Sequence, residues 1–91
     1  MATQNIEITQ KGWQDLITAG SLSLTNAQTY TVAIRGNNNN EIAIADSEPA
    51  DGFMGHPVSE DINFNFTYTT GDKIWVKCLP LQAGKATVVL T

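Results

Sequence analysis

Residues 62–91 constrain the fold more than any other part of the chain. Ile62, Phe64, Phe66 and Tyr68 alternate with Asn63, Asn65, Thr67 and Thr69. Alternation of this kind gives a strand one apolar face and one polar face. Gly71 and Asp72 precede a second alternating run, in which Ile74, Val76 and Cys78 share a face, and Gly84 precedes a third at residues 86–90. Read by itself, this half of the chain is a three-stranded β-meander, and its residues are those of a scaffold. No catalytic constellation stands out in it.

The first half carries the same signature more weakly. Ile6 and Ile8 alternate with Glu7 and Thr9, giving a short strand at residues 5–10 that Gly12 interrupts. Residues 13–19 read either as one helical turn or as a loop that folds Trp13 onto the sheet. Gly20 ends this segment, and residues 21–24 offer a further short strand. The clearest strand is 29–35, with Tyr30, Val32 and Ile34 on one side. Gly36 and the four asparagines after it form a turn, because glycine and asparagine tolerate positive φ. Residues 41–45 return with Ile42 and Ile44 inward, so that 29–45 reads as a hairpin with a polar, mobile tip. Residues 46–61 contain two prolines, two glycines and five carboxylates and cannot form a central strand. Long loops in compact domains are usually functional or disordered. Phe53 and Met54, in the middle of this one, either tuck beneath it or stand out as a contact point. The expected architecture is one domain over residues 1–91. It is all-β, a small antiparallel sandwich or barrel of about seven short strands.

Size and charge limit what such a domain does. A chain of 91 residues builds a thin core, and small β domains without disulfides commonly gain stability by oligomerising. Cys78 is the only cysteine, so no intrachain disulfide forms, which fits assembly in a reducing compartment. Its expected role is that of a small buried hydrophobe beside Ile74 and Val76. Nine acidic residues against five basic ones argue against nucleic acid, which requires a basic footprint, and against anionic membranes. Neither a membrane-spanning stretch nor a leader peptide is expected. The Asn65-Phe66-Thr67 sequon is accordingly read as chance.

Each candidate chemical site has a plainer reading. Asp46, Glu48 and Asp51, with Glu60 and Asp61 nearby, lack the spacing of a calcium loop and read as a solvated acidic segment. His56 is the only histidine and has neither a general-base partner nor a zinc ligand set. Glu60 and Asp61, adjacent at a strand entry, point to opposite faces and do not converge on a glycosidic bond. No metal, no cofactor and no enzymatic activity are expected. Trp75 is different. The inward face of its strand belongs to Ile74, Val76 and Cys78, which leaves Trp75 with Lys73 and Lys77 on the other side. It is then either an interface anchor or part of a second small core alongside Trp13.

These segments in order have a familiar pattern: WQDL at 13–16, TYTV at 29–32, the acidic proline-bearing loop at 46–57, GDKIWVK at 71–77 and GKATVVL at 84–90. The pattern resembles a group of short all-β proteins of tailed bacteriophages and prophages that decorate the capsid or form part of a head fibre or tail. Gly71 and Asp72 followed by IWVK are its most specific part. The Gly36–Asn40 run and the Phe53-Met54 insertion depart from it. The resemblance implies a virion structural protein, assembled in the host cytoplasm and located in the virion. The expected role is capsid decoration or a head-fibre base, acting by protein–protein binding. The expected partner is the major capsid protein or another virion protein, and the chain is expected to be a homo-oligomer, with a trimer matching the local threefold positions of a capsid. Candidate contacts are Trp75 with the flanking Lys73 and Lys77, Phe53, Met54, and an N-terminal arm of residues 1–5 that includes Thr3 and Gln4 and orders on a partner. The alternatives are a carbohydrate-binding tip, stacking sugars on Trp75, Trp13 or Tyr30, and a neck or tail adaptor.

Overall fold

The computed structural model describes residues 3–10, 12–59, 62–79 and 85–91. Its strands are Gln4–Ile8 (β1), Gln14–Asp15 (β2), Thr29–Arg35 (β3), Asn40–Ala45 (β4), His56–Val58 (β5), Phe64–Thr67 (β6), Lys73–Cys78 (β7) and Ala86–Leu90 (β8). One short helix, Leu16–Gly20 (α1), lies between β2 and β3. The strands form two antiparallel four-stranded sheets, ordered β1-β8-β3-β6 and β2-β7-β4-β5. The chain is an all-β sandwich, open rather than closed into a barrel.

Alternation produces the core directly. The first sheet contributes Ile6, Ile8, Tyr30, Val32, Ile34, Ala86, Val88 and Leu90 to the buried cluster. The second contributes Ile42, Val58, Ile74, Val76 and Cys78, and Leu16 joins from α1. Apart from the two-residue β2, the strands turn their apolar side toward the space between the sheets, β6 through its partly buried Phe64 and Phe66, where burial of that surface drives folding.

The connectivity departs from the sequence reading. Only β4 and β5 are both consecutive in the chain and neighbours in a sheet. β6, β7 and β8 therefore do not form a meander: β6 pairs with β3, β7 lies between β2 and β4, and β8 lies between β1 and β3. Nor do β3 and β4 form a hairpin, because the chain crosses from one sheet to the other between them. An alternating strand is satisfied by either sheet of a sandwich, since both bury the same kind of face. The turn between β6 and β7 illustrates this. Asp72 N–H donates to the Thr69 carbonyl with Gly71 at φ 98°, a compact turn that carries the chain across the core rather than back along its own sheet.

The asparagine run also differs from expectation. Asn37 and Asn40 are buried. Asn37 Nδ2 donates to Asn40 Oδ1 at 2.8 Å, and Asn40 Nδ2 donates to the carbonyls of Asn37 at 2.7 Å and Val58 at 3.2 Å. This pair fixes the crossover and ties it to β5. A buried amide is tolerated because its donors and acceptors are satisfied in this way.

Two features close the open sides of the sandwich. Asp15 caps α1, its carboxylate accepting from Ile17 N–H at 3.0 Å and from Thr18 Oγ1 at 2.8 Å. Ser21 ends the helix in the left-handed region (φ 50°), so residues 21–24 continue as an irregular segment rather than a strand. α1 packs against β1 and β7 at one side. At the other, the His56 ring of β5 lies 5.1 Å from the Phe64 ring of β6. Gln4 and Asn5, expected in an N-terminal arm, are strand residues paired with Leu90 and Val89. Thr3 is exposed ahead of them, while Met1 and Ala2, like Glu60, Asp61 and Gly84, lie outside the described residues.

Candidate functional site: a pinned loop on the outer face of the second sheet

The outer face of the second sheet carries a second, smaller core. Lys73, Trp75 and Lys77 of β7 alternate with the inward residues, and Ala43 of β4 stands opposite Trp75 in the register. Alanine at 43 and 45 leaves room for an indole, and Trp13 comes in from the approach to β2. Trp13, Ala43 and Trp75 form a buried cluster with Ala45 packed against it. Of the two readings open for Trp75, the second small core is the one realised.

Residues 46–55 cover this cluster. Trp75 Nε1 donates to the Ala45 carbonyl and Trp13 Nε1 to the Ala50 carbonyl, each at 3.3 Å. Lys77 Nζ donates to the Asp51 carbonyl at 2.7 Å and lies 5.6 Å from the centre of the Trp13 ring. From β4, Glu41 Oε1 accepts from Gly55 N–H at 2.9 Å. Phe53 N–H closes a turn on the Ala50 carbonyl, and the Phe53 ring tilts against Trp13 at 6.3 Å. Aromatic burial supplies the driving force, and the indole N–H groups supply the registration. The loop is therefore held in one shape although its composition reads as turn and solvent.

What the loop presents is apolar. Phe53 is 52% exposed and Met54 85% exposed, beside a cavity of about 310 Å³. The cavity is floored by β4 between Ile42 and Ala45 and walled by Pro49, Phe53, Met54 and His56, with Glu48 at its margin. It exists because β5 is short. Pairing between β4 and β5 stops at Ile42 opposite His56, so β4 runs on without a neighbour on that side. Its size lies at the lower end of the range for small-ligand pockets.

Of the residues singled out in the sequence, Phe53 and Met54 are brought together on the surface. Trp75 and Lys77 hold the loop from beneath and from the side. Lys73 pairs loosely with Asp15 at 4.0 Å, a half-exposed ammonium at the limit of contact with a mostly covered carboxylate. Thr3 and Gln4 lie at the edge of the other sheet. The rings of Trp13, Trp75 and Tyr30 are all buried, so none offers the open face that sugar stacking requires. Among the described residues no three His, Cys, Asp or Glu side chains converge. The sequence reading missed the cavity and the buried asparagine pair. The one local sign of the cavity was small Ala43 and Ala45 on the face opposite Ile42 and Ile44. The chain matches no protein-family model, no curated protein and no solved structure.

Proposed function

We infer that this chain is a non-catalytic structural subunit of a bacteriophage particle, one that holds a capsid or other virion protein through its 46–55 loop. The observation that carries this reading is an apolar pair, Phe53 and Met54, held in place by a loop that three side chains anchor and that Trp75 tethers at its base, Ala45. A solvent-exposed phenylalanine and methionine side by side suit an interface centre better than a solvated surface. Holding them rigid lowers the ordering cost that binding must otherwise meet. The cavity beside them accepts a partner's apolar side chain, while the Trp13–Trp75 core keeps the platform from yielding. The order of segments, which resembles that of short phage virion proteins, supports the choice of particle.

Co-sedimentation of the purified protein with phage heads and, separately, with tails tests the reading. The protein is expected to bind heads at regular positions. The double variant Phe53→Ser, Met54→Ser is expected to bind at least tenfold more weakly, and Met54→Ser alone, which removes only the more exposed side chain, is expected to weaken binding while melting like the parent. Full binding by the double variant would move the contact elsewhere on the molecule. Failure of the parent to bind either heads or tails would remove the virion role itself.

A further inference from the structure

We propose that the free edge of β6 is a self-pairing surface, at which two copies of this chain join antiparallel through β6 to make one continuous eight-stranded sheet. The proposal is independent of the virion reading.

A sandwich of two open sheets has four edges, and here they are β1, β6, β2 and β5. Natural β proteins protect edges with charge, proline, brevity or a covering element. Three of these edges are protected in those ways. β1 carries Glu7 and is flanked by α1, whose Gly20 lies so close that a Cβ there would come within 2.8 Å of Ile6. β2 has two residues and runs directly into α1. β5 has three residues, and Pro57 is its middle one. β6 is four residues long and carries neither charge nor proline, and β5 meets it at the Phe64 ring, through His56, rather than by strand pairing. No charged residue or proline occurs from Ile62 to Gly71, and among the described residues no strand pairs with its outer side.

The backbone of that edge faces outward in a definite register. Thr31 exchanges two backbone hydrogen bonds with Thr91, at 2.8 and 3.0 Å, so its N–H and C=O point toward the β8 side. By alternation Tyr30 and Val32 point toward β6, where Phe66 and Phe64 stand opposite them. Tyr68 N–H likewise donates to the Gln28 carbonyl at 2.9 Å. Phe64, Phe66 and Tyr68 therefore direct their main-chain groups to their own sheet. Asn65 and Thr67 direct theirs to the open edge, and Asn63 joins them when pairing extends the strand by one residue.

Such an edge fits a second copy of itself. With a twofold axis at Asn65, Asn65 faces Asn65 of the second copy, Asn63 faces Thr67, Phe64 faces Phe66 and Ile62 faces Tyr68. About six backbone hydrogen bonds form. The amide and hydroxyl side chains make a polar ladder on the outer face. The aromatic side chains extend the core across the junction, and Phe64, Phe66 and Tyr68 are only partly buried in the single chain. Ile62, 55% exposed, gains a cover. The chain has a net charge of −4, and this uncharged segment brings two copies together without juxtaposing carboxylates. The contact is isologous and closes at two copies, so a threefold assembly would use another surface.

Sedimentation equilibrium of the parent, of Asn65→Lys, of Asn65→Glu and of an equimolar mixture of the two variants tests the register as well as the pairing. The parent is expected to dimerise at micromolar to high micromolar concentration. Each single variant is expected to weaken the dimer at least tenfold, because like charges then face each other on the axis, and the mixture is expected to restore it as a heterodimer. Thermal melts of the dilute variants are expected to stay within a few degrees of that of the parent, since Asn65 is exposed and the substitutions alter only its hydrogen bond from Thr31 Oγ1. A parent that remains monomeric at 0.5 mM, a dimer indifferent to either charge, or a mixture that fails to pair would overturn the proposal.

Discussion

At the scale of single residues, the same side-chain types do opposite things according to which face they occupy. Cys78 is buried between the sheets, and desolvation pushes its thiol from 9.0 up to about 11. A raised acid pKa favours the folded state only while the thiol stays protonated in both states. The unfolded chain releases that proton near pH 9 and the folded chain does not, so the stability is intact below that pH and is lost as pH rises toward 11. Denaturant titrations at pH 7.5 and pH 10.5 should show the parent losing roughly 2 kcal/mol more than Cys78→Val. Equal losses would mean that the thiol ionises in place. Thiol reagents should likewise react only as fast as the protein opens. Asn37 and Asn40 show the reverse case. Their residue type and their place in a polar run suggest solvent, yet they are buried because they satisfy each other and the Val58 carbonyl. Pairing between two side chains leaves no periodic trace in a sequence.

At the scale of elements, the 46–55 loop depends on close approach. A Cβ on Gly55 would lie 2.7 Å from the Ile42 carbonyl oxygen and 2.9 Å from the Trp13 ring, and neither the strand nor the buried indole has room to retreat. Gly55→Ala should therefore lift the loop from the sheet and cost about 1–3 kcal/mol. Red-shifted tryptophan emission and earlier proteolytic cleavage near Ala50 would report the lift. Unchanged emission would mean that the loop accommodates the methyl without letting go of Trp13. β5 was hidden in the sequence by Gly55 and Pro57, which read as loop chemistry. It exists because an edge strand needs pairing on one side only, and proline is compatible with that position. β6, by contrast, was plain in the sequence as a strand. Its position at an edge was not, because alternation is the same for a central strand and an edge strand.

At the scale of the whole molecule, the fold is held by contacts between distant parts of the chain. β8 lies between β1 and β3, and so joins the two ends of the described chain within one sheet. Removing residues 86–91 takes Ala86, Val88 and Leu90 out of the core and leaves β1 and β3 without a partner on that side. That loss is comparable with the roughly 5–15 kcal/mol that stabilises a domain, so the truncated chain should show no cooperative melt and no near-ultraviolet circular dichroism. A truncated chain that still melts cooperatively would mean that the second sheet and α1 fold without the first.

The amino-acid sequence by itself determined the class of the fold and the inward face of most strands. Both follow from the geometry of an extended backbone, in which successive side chains point to opposite sides. It also marked Phe53 and Met54 as an apolar pair in a polar loop, because composition is local. Which strand pairs with which, and in which sheet, was decided only in the tertiary structure. Strands with similar faces compete for the same two sheets, and the arrangement that wins is the one that buries all of those faces together. The same holds for Trp75. Local pattern placed it outside the main core, but only the return of residues 46–55 over the outer face, with Trp13 beneath, determined that it is covered.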